Sequence, residues 1–311
     1  MSAQAVLFDI PGPKARRRQT IAAAIGVLLL VGMLGLVGYQ LRAQLTWEMF
    51  RPFSEGETWT AYVIPGIVGT LKAAAISVAA AVVLGFLLGM GRLSHVGALR
   101  WMVSAFVEFF RSVPVLVMML AGYYIFMYNG LFEGDALALM GVVTGLTIYN
   151  SCVIAELLRA GVHSLPGGQR EAALAIGLSR RQTLTTVLLP QAVTAMLPSL
   201  VSQLVVILKD TALGYMISYP ELLNRIGTLS SVQGNIIAAF LVAAVIFIII
   251  NWLLTQLAGL LEKRMRRRSA GRPEVVFGNL AAPPGADIEL YTDTHQFESD
   301  DEFDRRTKPP I

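Results

Sequence analysis

The sequence predicts an all-α integral membrane protein of about six transmembrane helices, on three observations. Of its residues, 55% are hydrophobic and only 15% charged, a balance outside that of soluble globular domains. Several apolar runs reach the length of about 20 residues that a helix needs to cross the hydrocarbon core. None of them shows sustained alternation of apolar and polar residues, which favours helices over a membrane barrel.

The first run, Ile21 to Tyr39, follows a basic start of Lys14 and Arg16 to Arg18. That start suits a signal peptide, but the apolar core is longer than a typical signal core. Gly38-Tyr39-Gln40-Leu41-Arg42 also lacks a small-x-small cleavage site, so a retained helix is expected. The second run, Tyr62 to Met90, is long enough to tilt. The third lies within Trp101 to Tyr128, the fourth is Leu137 to Leu158, the fifth Pro190 to Leu208 and the sixth Ile236 to Leu257. Gly85 and Gly89, and likewise Gly141 and Gly145, are spaced so that helices can pack closely. After Arg268 the composition turns to Pro, Gly, Asp and Glu, including Glu298-Ser299-Asp300-Asp301-Glu302, which reads as a disordered tail.

Orientation follows from Lys and Arg. One side collects Lys14, Arg16 to Arg18, Arg92, Arg100, Arg159, Arg170, Arg180, Arg181, Lys263, Arg264 and Arg266 to Arg268. The other has only Arg42, Arg51 and Arg225, among the acids Glu48, Glu55, Glu57, Glu133, Asp135 and Glu221. Both termini are therefore expected in the cytoplasm.

The single cysteine, Cys152, rules out an intrachain disulfide framework and a cysteine metal cluster, and it is expected to pack inside the fourth run. His95, His163 and His295 are scattered and no HExxH occurs, so no metal site and no catalytic residues are expected. The net charge of +4 is accounted for by cytoplasmic loops and needs no nucleic acid.

Between the fourth and fifth runs lies a polar stretch, "SLPGGQREAALAIGLSRRQTLTTVLLPQA", residues 164 to 192. Gln169 to Ile176 is built of good helix formers, with Glu171 in an early turn where a positive helix end favours it. Gly177 suits a left-handed C-terminal cap. Ser179 then opens a second helix, and Gln182 completes a capping-box pattern. Ala172, Ala173 and Ala175 offer a close-approach surface, beside an apolar ridge of Leu174, Ile176 and Leu178. The residues describe a rigid elbow. They fit a docking element and an ordinary interfacial helix between two spans equally well.

Glu171-Ala172-Ala173, three residues, Gly177, nine residues, Val187, one residue and Leu189-Pro190 resemble the EAA motif of type I ABC importer permeases. The resemblance extends to the polar amino-acid subfamily, which includes histidine, glutamine, glutamate and arginine permeases. Its blocks run in order as "GTLKAAAISV" (69 to 78), "VEFFRSVPVLV" (107 to 117), "AELLRAGVHSLPGGQREAALAIGLS" (155 to 179), "LLPQA" (188 to 192) and "ILKDTAL" (207 to 213). The family more often has Ile at Val187, FRGTP where Phe110-Arg111-Ser112-Val113-Pro114 stands, and Ser at Ala212.

The resemblance implies a MetI-like core of five membrane helices with one helix added at the N-terminus. With the charge asymmetry, residues 1–19 are expected as a cytoplasmic basic N-terminus and 20–60 as the added helix with its outer loop. The permease core is then 61–262, with a cytoplasmic coupling loop at 160–189, and 263–311 is a basic then acidic tail. Two permease subunits, expected to be paralogues in a heterodimer, make the pathway through the bacterial inner membrane. An ABC ATPase dimer docks on the elbows and carries ATP and Mg, so this chain needs no cofactor of its own. An extracytoplasmic solute-binding protein delivers a polar amino acid, with glutamate or glutamine expected. Gln169, Glu171, Ala172, Ala173, Gly177, Leu178 and Ser179 are the residues that would couple to the ATPase.

Leu165-Pro166-Gly167-Gly168-Gln169 differs by one residue from the LSGGQ signature of ABC ATPases, but no Gly-Lys pair and hence no phosphate loop exists anywhere in the chain. It reads as coincidence. Charged residues within apolar runs are functional candidates because they are costly there. Glu108 with Arg111, and Glu156 with Arg159, are spaced to pair on one helix face. Lys209 and Asp210 end the fifth run, and Asn150 and Ser151 lie inside the fourth. These are pathway or gating candidates, although snorkelling, packing pairs or bonds between helices account for them as well. A stand-alone secondary transporter or channel using these charges is the alternative function.

Overall fold

The computed structural model describes residues 12–270, so the acidic part of the tail and residues 1–11 lie outside the described residues. Among the described residues there is no strand. The long helices are α1 (Pro13–Leu41), α2 (Ile64–Arg92), α3 (Gly97–Ser112), α4 (Val115–Tyr128) and α5 (Gly134–His163). They are followed by α6 (Gly167–Ala175), α7 (Leu189–Asp210), α8 (Leu222–Gln233) and α9 (Ile236–Ala270). Among the described residues, five helical segments are long and apolar enough to cross a membrane, or six if the bent pair α3–α4 counts as one span. One packed unit ends at Arg266.

The third apolar run is not one helix. The chain turns by 101° between α3 and α4. Pro114 has no N–H to continue α3, and it holds Val113 extended at φ −87°, ψ 129°. The 14 residues of α4 rise only about 21 Å, short of the roughly 30 Å hydrocarbon thickness. The preceding α3 is amphipathic, with Val107 buried and Trp101 and Met102 exposed.

Proline shapes two other places. Wider, π-helical turns at Trp59–Val63 and Thr183–Leu188 stand just before Pro65 and Pro190. Neither proline can donate to the carbonyl four residues back, and each ring crowds it, so the hydrogen-bond ladder opens locally. The fifth run consequently begins well before Pro190. Helical structure is continuous from Arg180 through Ile217.

The centre of the bundle is α5, against which α2, α3, α4 and α7 all pack. The two small-residue pairs explain how closely. A β-carbon at Gly85 would lie 2.8 Å from the Ile154 Cβ, and one at Gly89 2.7 Å from the Leu158 Cδ2, so α2 seats directly on α5. A β-carbon at Gly141 would lie 2.9 Å from the Tyr123 Cβ, and one at Gly145 2.6 Å from the Met119 backbone nitrogen, so α4 seats on its other side. Cys152 is buried where α3 meets α5, beside Val107 and Ala155. By contrast, every described side chain of α1 from Lys14 to Gln40 is exposed. Its backbone is satisfied within the helix, so lipid alone suffices as its surroundings.

At the end of α2 far from Arg92, the segment before α8 is clasped. The Tyr219 hydroxyl donates to the Gly69 carbonyl at 2.8 Å, and the Leu222 N–H donates to the Thr70 Oγ1 at 3.1 Å. Glu221, fully buried, caps α8 by accepting from the Leu223 and Asn224 N–H groups at 2.8 and 2.7 Å. Burial pushes its carboxyl up to about 7 against these two bonds, which favour the ionised form. A β-carbon at Gly69 would sit 2.5 Å from the Pro220 carbonyl oxygen, a contact only backbone movement relieves.

Gly69→Val should therefore lower the thermal midpoint of the detergent-solubilised protein by several degrees, as overpacking costs about 1–3 kcal/mol. Gly97→Ala, with nothing within 4 Å of its β-carbon, should leave it unchanged. Equal midpoints for both would contradict the close clasp.

Candidate functional site

The polar stretch after α5 folds as a doubly capped elbow. Pro166 sits at the N-cap with φ −55°, and LPGGQ supplies the first turn of α6, where the Gln169 N–H donates to the Pro166 carbonyl at 3.1 Å. Because the helix starts at Gly167, Glu171 stands in its second turn and not at the positive helix end. The prolyl ring at 166 places the start two residues earlier than helix propensity indicates. Glu171 is exposed, as are Gln169, Ala172, Leu174, Ala175 and Ile176, while Ala173 is buried against the Thr183–Leu188 turn.

The far end of α6 is closed by a Schellman pair. The Leu178 N–H donates to the Ala173 carbonyl at 3.2 Å and the Gly177 N–H to the Leu174 carbonyl at 3.0 Å, with Gly177 at φ 87°. One residue on, the capping box forms. The Ser179 N–H donates to the Gln182 Oε1 at 2.9 Å, and the Gln182 N–H donates to the Ser179 Oγ at 3.3 Å. Both caps act on the same short connection, so the elbow has little freedom to bend.

Beside the elbow, the two pairs expected at Glu108/Arg111 and Glu156/Arg159 merge into one lattice through Arg92. Arg159 grips Glu156 with two bonds, Nη2 to Oε1 at 2.7 Å and Nε to Oε2 at 3.2 Å. The Arg92 Nη2 donates to the Glu108 Oε1 at 2.9 Å, and its Nη1 lies 2.6 Å from the Glu156 Oε2. This second contact is an ion pair outside hydrogen-bond alignment, and the Arg92 Nε has no partner. Arg111 approaches Glu156 at 3.7 Å and Glu108 at 3.9 Å. The Arg92 side chain is 6% exposed, so this cation is carried inside the fold and not in a loop. A count of cytoplasmic charges hides it. Its signal in the sequence is its place directly after Gly89-Met90-Gly91, on the helix that packs against α5 through Gly85 and Gly89.

The other candidates lie apart from this lattice. Asn150 and Ser151 are fully buried within the subunit. The Asn150 Nδ2 donates to the Leu146 carbonyl and its Oδ1 accepts from the Gln203 Nε2, which joins α5 to α7. The Ser151 Oγ donates to the Ile148 carbonyl at 2.8 Å. Lys209 is exposed and Asp210 half-buried at the end of α7 remote from the elbow, and among the described residues neither forms an ion pair. Among the described residues no group of His, Cys, Asp and Glu could hold a metal ion.

The described residues thus define a helical membrane bundle with a doubly capped polar elbow at one end. The family described as "Binding-protein-dependent transport system inner membrane component" matches residues 81–267, and the chain belongs to it: it is the multi-pass, non-catalytic inner-membrane permease subunit of an ABC importer. It is 48% identical over 229 residues to a glutamate transport system permease protein of Corynebacterium glutamicum, covering 74% of this chain and 83% of that one. It is 31% identical over 214 residues to a glutamate/aspartate import permease protein of Escherichia coli O6:H1, covering 67% and 94%. A solved amino acid ABC transporter crystallised with histidines superposes with a TM-score of 0.59 at 28% identity, over 65% of this chain and 92% of that one.

Gly177→Val should abolish most ATP-dependent uptake in membrane vesicles while membrane insertion stays normal, because a branched side chain is strained at φ 87° although the space around it is open. Gly177→Asn, whose side chain tolerates the left-handed region, should retain most of it. Full uptake by the Val variant would show that the cap does not fix the elbow.

Proposed function

We propose that the chain is a permease subunit for glutamate or a closely related polar amino acid, with both termini in the cytoplasm. The 48% identity to a glutamate permease supports the substrate. The elbow supports the coupling role, and it is the observation that carries the reading. Its exposed residues Gln169, Glu171 and Ala172 offer a small, polar seat to an ABC ATPase, while Gly177, Leu178 and Ser179 keep that seat rigid. Closure of the ATPase dimer then moves α6 as a body, and the motion passes into the continuous helix from Arg180 to Ile217. It passes also into α5, which the charged lattice ties to α2 and α3.

ATP and Mg belong to the ATPase. A second permease subunit, a paralogue, completes the pathway, and an extracytoplasmic binding protein supplies the solute. Cytoplasmic placement of the elbow is supported by the arginines gathered at that end of the bundle, where Arg92, Arg100, Arg159, Arg170 and Arg180 line one cavity. Asn150, Ser151, Lys209 and Asp210 remain pathway or gating candidates, with Glu108, Arg111 and Glu156 proposed to transmit motion from the elbow.

Glu171→Lys tests the seat. Glu171 is exposed and, among the described residues, unpaired, so its replacement should leave insertion and thermal midpoint unchanged. Loss of a carboxylate acceptor at the contact should weaken retention of the co-expressed ATPase in a pull-down roughly tenfold or more. Undiminished retention would remove Glu171 from the contact.

A further inference from the structure

Between the elbow and the ends of α2 and α5 lies a cavity of about 500 Å³. Five arginines and two histidines contribute to its wall, and among the described residues no carboxylate does. Arg92 and Arg159 are already matched to Glu156 and Glu108. Arg100, Arg170 and Arg180 form no ion pair among the described residues, so three cations of the wall face it without a counter-charge.

Two further features point to an anion. Thr183, 2% exposed, contributes to the wall, and its Oγ1, buried just behind that wall, has no hydrogen-bond partner. Gly167, the first residue of α6, also lines it, and the opening N–H groups of a helix have no partner within that helix. Ser94 and Ser104 add hydroxyls, and an apolar part of the wall is made by Leu93, Val162, Leu165, Leu174, Leu184 and Leu188. A freely soluble anion has no use for that half. An amphiphile uses both.

The position fits as well. Arg92 and His163 end and Arg180 begins helical segments long and apolar enough to cross a membrane, so the cavity lies at one end of the spans. Arg100 and Ser104 reach it from α3, the amphipathic helix that turns by 101° from α4 and exposes Trp101 and Met102, as a helix lying along a membrane surface does.

We propose that this cavity binds the phosphate headgroup of an anionic phospholipid from the cytoplasmic leaflet, with Arg100, Arg170 and Arg180 holding the phosphate and the leucine wall taking the glycerol and first acyl carbons. Such a lipid wedges between α3, α5 and the elbow, and its presence then biases how the elbow sits. The proposal rests on the cytoplasmic placement of the elbow given under Proposed function.

The test uses the full chain in nanodiscs of phosphatidylcholine containing a minor fraction of phosphatidylglycerol, with retained lipids counted by native mass spectrometry. Wild type should keep a phosphatidylglycerol that exchanges slowly. The triple variant Arg100→Gln, Arg170→Gln, Arg180→Gln should bind it on the order of a hundredfold more weakly, at about 1 kcal/mol per cation. Neutralising Arg16, Arg17 and Arg18, which lie on exposed α1, should leave retention unchanged. Equal loss from both triple variants would reduce the effect to general surface charge and overturn the site. Displacement of the lipid by millimolar inorganic phosphate would assign the cavity to a soluble anion instead. If the pocket variant keeps its lipid but loses the ATPase in pull-down, the arginines belong to the ATPase contact and the lipid proposal fails. Loss of lipid with ATPase retention intact supports it, and the Glu171→Lys pull-down separately decides the elbow reading.

Discussion

The carboxylate of Glu156 is the point on which the elbow end of the bundle depends. It stands within ion-pair distance of Arg92, Arg111 and Arg159, which come from α2, α3 and α5. Near the hydrocarbon a lone charge is costly, and three cations around one carboxylate would repel one another without it. The lattice closes because a second acid, Glu108, binds the other terminal nitrogen of the Arg92 guanidinium. Three helices are held in register there directly beside α6. Under the proposed function, a displacement of the elbow meets helices that these ion pairs tie together.

The other end of the molecule is held by different means. There the backbone itself is close-packed, with Gly66 and Gly69 of α2 against Leu222 and Pro220, and polar bonds from Tyr219 and Thr70 lock the approach. Between the two ends, α5 carries the load through glycine contacts on both flanks and one polar joint, Asn150 to Gln203. The bundle is thus held by charge at one end and by steric closeness at the other. That is the arrangement a lever needs if work done at the elbow is to appear across the membrane.

What was legible in the sequence was local. The capping box at Ser179 and Gln182 and the left-handed Gly177 are set by residues three or fewer apart, and both form as their types require. The glycine pairs at 85/89 and 141/145 are likewise visible as spacing, and each meets α5 or α4 as spacing predicts. The features that sequence reading placed wrongly or missed are set by distant partners or by proline. The bend at Pro114 divides what looks like one apolar run, since hydrophobicity does not record direction. Pro166 starts α6 early and so moves Glu171 away from the helix end. Arg92 reads as a loop cation until α3 and α5 are folded beside it, and Glu221 reads as an outer acid until α8 is seen to begin on it. Charge counting assigns sides well, but it says nothing of burial.

Reconstitution gives the most direct measurement of the central claim, that the chain is a passive membrane subunit moved by a separate ATPase. Proteoliposomes would contain the chain with its partner permease and ATPase, and the loaded binding protein would be added at the outer face. Uptake of labelled glutamate should require ATP at the elbow side, should stop when the ATPase is omitted, and should be indifferent to imposed proton or sodium gradients. Uptake driven by an ion gradient, in vesicles holding this chain and no ATPase, would contradict it.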